Sequence, residues 1–135
     1  NERAFANHYA ADPGLPVAMS AAHDHAFHDA MVAYKLGDND EAITKWSALL
    51  KEKPSNDTLR YFIGCAELNA DRADRAAPLL LSVADQQGSA FAAKARWFGF
   101  LALVRSGDLV TARAVPFAVD HPYATKAKMV LAELE

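Results

Sequence analysis

Apolar residues recur along this chain at three- and four-residue intervals, interrupted by glycine, proline and short polar residues, and no stretch alternates with a period of two. That spacing places apolar side chains on one face of a helix and predicts an all-α fold of seven or eight helices. A short helix over residues 1–10 sets Phe5 and Tyr9 four apart on one face, and Asp12-Pro13-Gly14-Leu15-Pro16 stops it, because prolines deny helical hydrogen bonds. From Ser20, a suitable N-cap, helical periodicity runs to Leu36, where Gly37 supplies the left-handed residue that ends a helix. Asp38 caps the next helix, which passes through Ala42, Trp46 and Leu50 to Pro54. Ser55-Asn56-Asp57 opens another that reaches Leu68, turns at Ala70-Asp71 and continues to Ala84 or Gln86, with Asp71 taking the left-handed place of glycine. A third pair runs from about Ser89 to Ser106 and, after Gly107-Asp108, to about Val119, shortened or kinked by Pro116. Beyond His121-Pro122, Tyr123 to Leu134 forms a closing helix that is apolar on one side.

The helix pairs repeat. Adding 34 to Ala30, Ala42 and Trp46 lands on Gly64, Ala76 and Leu80, and adding 36 carries Asp71 to Gly107 and Ala76 to Ala112. About two residues are therefore inserted near Gln87-Gly88-Ser89-Ala90. A unit of this length cannot bury its apolar face alone, so several must stack into one continuous core.

Ala42, Trp46 and Pro54 fall where a tetratricopeptide repeat has its second-helix alanine, aromatic and terminal proline, and Ile63-Gly64, Ala76 and Leu80 continue the pattern in the second unit. The chain resembles a tetratricopeptide-repeat domain over about residues 22–135. The third unit departs most, since Gly99-Phe100 inverts the large-then-small order and Pro116 replaces the aromatic. Domain boundaries follow: an N-terminal helix and Pro/Gly-rich arm at 1–20, then a repeat domain at 21–135, with repeats near 23–56, 57–90 and 93–121 and a capping helix at 122–135. The arm also looks like that of bacterial tetratricopeptide proteins whose domain follows a membrane anchor and faces the interior of the cell envelope; a cytoplasmic setting is the alternative.

The resemblance implies a right-handed superhelix whose first helices line a concave groove for a peptide or protein segment. The residues support the same face. Leu59, Phe62, Ile63 and Ala66 suffice to pack one helix, leaving a second stripe of Tyr61, Cys65 and Leu68, matched by Phe27, Met31 and Tyr34 before it and by Trp97, Leu101 and Val104 after it. Lys94 and Arg105 stand at the rim. Contiguous apolar surface marks an interaction site, so the expectation is a non-enzymatic scaffold or adaptor recognising its partner through apolar side chains, with affinity on the order of micromolar. The alternative is a spacer or oligomerisation element whose groove is filled by residues 1–20 or by a second copy, which leaves a homodimer open. Phe27 and Met31 occupy positions where a carboxylate-clamp subtype needs hydrogen-bond donors, which disfavours that subtype.

Composition narrows the rest. In 135 residues, 52% are hydrophobic and 23% charged, ordinary for one globular domain, and a net charge of −3 with scattered basic residues gives no nucleic-acid footprint. The sole cysteine, Cys65, cannot close an internal disulfide, and beside Gly64 it reads as a small buried hydrophobe rather than a nucleophile. No apolar run approaches the ~18 residues of a membrane span. The chain starts at Asn1 rather than Met, which leaves a leader, a membrane tether or a further domain upstream open. His23-Asp24-His25-Ala26-Phe27-His28-Asp29 could set two or three metal ligands on one helix face, but a structural zinc site wants four, and the cluster reads as a solvated helix start. No cofactor, metal site or catalytic constellation is expected.

Overall fold

The computed structural model describes residues 2–16 and 25–134. Among them are eight helices and no strand: α1 (Glu2–His8), α2 (His25–Lys35), α3 (Asn39–Glu52), α4 (Asp57–Asn69), α5 (Ala73–Ala84), α6 (Ala92–Ser106), α7 (Leu109–Ala114) and α8 (Ala124–Glu133). The chain is all-α, in keeping with the three-to-four-residue spacing. The Ser20 cap and the first turn expected before His25 lie outside the described residues.

Pairs α2–α3, α4–α5 and α6–α7 are helical hairpins, and all three turn through one motif. Gly37 and Gly107 adopt φ of 84° and 87°, and Asp71 takes the same left-handed conformation at 62°. In each turn the next residue's N–H reaches back five residues: Asp38 to Ala33, Arg72 to Glu67 and Asp108 to Leu103, at 2.8–3.0 Å. These bonds satisfy carbonyls that a helix end leaves free. Asp38, Asn56 and Asp108 then cap α3, α4 and α7, their side chains accepting from the N–H of Glu41, Leu59 and Thr111. Asp71 has no side-chain role in capping α5; its carboxylate instead meets Arg105 Nε at 3.0 Å.

Packing is closest along α4, α5 and α6, the middle of the molecule. Two glycines, one in α4 and one in α6, permit it against adjacent leucines of α5. A Cβ on Gly64 would stand 2.7 Å from the Leu80 side chain, and one on Gly99 would stand 2.8 Å from that of Leu81. Gly64 thus closes its own hairpin, whereas Gly99 brings α6 against the preceding one, so the inverted Gly99-Phe100 order reflects a different contact. Phe100 turns to meet Phe117 edge-on at 5.6 Å.

The expected helix to Val119 stops at Ala114. Val115 is extended, with ψ of 119°, the conformation imposed on a residue before proline. The chain then crosses the end of the molecule, where Tyr123 stacks on Trp97 at 5.2 Å, and α8 buries Ala127 and Val130.

Candidate functional site

The first helices of the hairpins, α2, α4 and α6, share one side of the molecule, and the N-terminal arm lies across it. Phe5 and Tyr9 stack at 4.6 Å, as their four-residue spacing allows, and Tyr9 meets Phe98 of α6 edge-on at 6.0 Å. The Tyr9 hydroxyl donates to Asn69 Oδ1 of α4. On the flank of α1, Asn7 Nδ2 donates to Glu133 Oε1 at 2.9 Å, and His8 Nε2 pairs with Glu133 Oε2. One short helix therefore ties the beginning of the chain to α8.

After Tyr9 the arm has no regular secondary structure, and its centre is Asp12, buried at 8% exposure. The Tyr34 hydroxyl of α2 donates to the Asp12 main-chain carbonyl at 2.6 Å, and the Tyr61 hydroxyl of α4 donates to Asp12 Oδ2 at 2.5 Å. Lys94 Nζ of α6 stands 3.8 Å from the same oxygen. The arm's own Gly14 N–H donates to Oδ1 at 2.8 Å. Gly14 has φ of 87°, and a Cβ there would fall 2.8 Å from Met31 Sδ, so only glycine lets the arm lie this close to α2.

No family model matches this sequence, and no curated protein or solved structure matches it either.

Of the ten residues expected to line a groove, Met31, Tyr34, Tyr61, Cys65, Leu68, Trp97 and Leu101 are buried, and Phe27 is half-buried against Trp46 at 5.7 Å. The arm lies against Met31, Tyr34 and Tyr61, whereas Trp97 is stacked under Tyr123 and Phe27 packs on Trp46 and Phe62, so these residues do not form an open apolar surface; their burial keeps apolar area out of water. Lys94 remains exposed, with its ammonium toward Asp12. Arg105 faces outward to Asp71 and, at 3.2 Å, to Glu2. Leu15 and Pro16 are exposed, while Val17 and Met19 lie outside the described residues.

Polar anchoring was not anticipated from the sequence. Asp12 stands in an Asp-Pro-Gly run and reads as a turn former, and Tyr34 and Tyr61 read as apolar surface. The available signal was a tyrosine in each of two equivalent stripes, since a buried tyrosine hydroxyl seeks a partner. Burial, reinforced by the negative charge of Asp12, pushes the Tyr61 phenol well above its ordinary pKa, and burial does the same at Tyr34 and Tyr9. These hydroxyls stay protonated and serve as donors. Burial, then the Asp12 charge, also raises the Cys65 thiol, which keeps it from the thiolate form a nucleophile needs.

His25 is exposed and His28 half-buried. Among the described residues no three of His, Cys, Asp and Glu converge as a metal-binding group, and His23 and Asp24 lie outside them. No helix among the described residues is long and apolar enough to cross a membrane.

Proposed function

We propose that this chain is a non-enzymatic, tetratricopeptide-type binding module whose concave face holds an extended protein segment, and that its own residues 9–16 occupy that face when no partner is bound. The carrying observation is that the arm behaves as a bound peptide would: it is neither helix nor strand, crosses α2, α4 and α6, and is held through Tyr34, Tyr61 and Lys94. Further support comes from the repeat register. Ala30, Ala42, Ala76 and Ala112 are all wholly enclosed, and Gly64 lies too close to Leu80 for a side chain, so the small positions sit at helix contacts. Stacked hairpins of this register would wind as a right-handed superhelix. A bacterial cell-envelope setting with an upstream tether belongs to the same proposal and rests on the sequence resemblance.

A second reading is favoured by the burial of Asp12: a spacer whose groove is permanently filled by its own arm. Photo-crosslinking in the native cell from a benzophenone side chain at exposed Lys35, beside the arm, separates the two. Adducts to a discrete foreign protein support the binding module. Adducts confined to residues 2–16 of the same chain support the spacer.

A further inference from the structure

Three helices from three successive hairpins each aim one polar group at a single arm residue. Tyr34 takes the Asp12 carbonyl, Tyr61 takes its carboxylate at 2.5 Å, and Lys94 supplies positive charge 3.8 Å from the same oxygen. We propose that Tyr61 and Lys94, with Tyr34 holding the main chain, form a carboxylate-recognition site for an aspartate-bearing segment of a partner protein, with Asp12 as its resident occupant. This rests on the binding-module reading above.

The chemistry is selective. A hydroxyl donating to a carboxylate makes one of the stronger hydrogen bonds available to a protein, and an apolar residue in the same place would leave the Tyr61 hydroxyl buried without an acceptor. The arm also defines the flanks of the ligand. An aromatic residue three positions before the aspartate meets Phe98 and Asn69, as Tyr9 does. A glycine two positions after it fits against Met31, as Gly14 does.

The arm leaves part of the site unused, which points to a partner rather than to a second copy's arm. A cleft of about 470 Å³ runs beside it, lined by Tyr9, Asp12, Tyr34, Lys35, Asn39 and Asn69. Within that lining the Asn39 side-chain oxygen is buried without a hydrogen-bond partner. A tethered arm competes at an effective concentration on the order of millimolar. A second copy's arm would bring the same contacts without that advantage, whereas a partner with a donor beside its aspartate would gain the Asn39 contact.

The test uses the full chain carrying Asp12→Ala and two labelled peptides: residues 4–16, and the same peptide with Asp12→Asn, followed by fluorescence anisotropy. The variant chain should bind the native peptide at least about tenfold more tightly than the unaltered chain does, and about tenfold more tightly than the Asn peptide. Adding Tyr61→Phe and Lys94→Ala should erase that preference. Equal binding of both peptides overturns the carboxylate site but leaves segment binding intact. Binding of neither by a chain that still melts cooperatively overturns it too, while a foreign Lys35 adduct would keep the module reading alive. A dimer in sedimentation at the same concentrations makes a second copy the occupant and overturns the partner assignment. Should Asp12→Ala not fold, the unaltered chain decides through amide exchange at Gly14. Excess native peptide should speed that exchange and the Asn peptide should not; no difference between them overturns the proposal.

Discussion

Trp46 is fully enclosed, with Phe27, Tyr34 and Phe62 each centred 5.7 Å from it and its indole N–H donating to the Phe27 carbonyl. Trp46→Ala leaves a cavity that the surrounding rings cannot close, and urea denaturation should show a loss of roughly 3–5 kcal/mol. An unchanged midpoint would mean that the indole is not part of the core. Gly64 carries the opposite constraint. A methyl there would stand 2.7 Å from Leu80, so Gly64→Ala should cost about 1–3 kcal/mol through overpacking even though alanine favours helix. Asp71 is the one described non-glycine residue with a left-handed backbone. Asp71→Gly relieves about 1 kcal/mol of backbone cost and forfeits a half-exposed pair with Arg105 of similar size. It should be close to neutral in thermal denaturation, whereas Asp71→Val should be clearly destabilising.

Helices were legible because their boundaries are local chemistry. Gly37, Asp38, Asn56, Gly107 and Asp108 each mark an end or a cap within a few residues of the sequence, and the structure uses every one of them. The third hairpin was harder to read, because Pro116 both ends α7 at Ala114 and frees Phe117 to pack on Phe100. Nor does the chain sequence announce that α1 docks on α8, since Asn7 and His8 are more than a hundred residues from Glu133. That clasp has a pH signature. Hydrogen bonds from His8 and Asn7 hold the Glu133 carboxyl below its ordinary range. A lowered folded-state pKa contributes stability that is present above the unfolded value and lost as pH falls through the folded one. Amide exchange at Tyr9, whose N–H bonds Phe5 within α1, should therefore rise on acidification below the usual glutamate range. Glu133→Gln should flatten that rise; an unaltered profile would place the acid sensitivity elsewhere.

At the scale of the whole molecule, the arm decides what the repeat stack offers to its surroundings. Seven of the residues expected to line a groove are buried with the arm in place, so under the proposed binding function the face around Tyr34 and Tyr61 is offered to a partner only when residues 9–16 move. Cys65 reports on that motion, because it lies in α4 one turn from Tyr61, beneath the Asp12 contact. In the resting chain its buried thiol should react slowly with an aromatic disulfide reagent, and Asp12→Ala should speed the reaction severalfold without changing helix content by circular dichroism. Equal rates would mean that the arm stays seated without its carboxylate, held by Phe5 and Tyr9 alone.

The sequence by itself determined the helices and their turns, because each depends on residues within one or two turns of one another: 3.6-residue spacing, left-handed glycines and side-chain caps. It also set Phe5 and Tyr9 on one face of a short helix, in an arm that could fill the groove. Tertiary structure alone decided which surface covers Phe5 and Tyr9, and that Asp12 forms the polar centre of the contact. Periodicity reports that a side chain will be buried, but the partner of a buried hydroxyl or carboxylate is set by how hairpins stack. Tyr34, Tyr61 and Lys94 belong to three different helices, and only their packing brings all three to one aspartate.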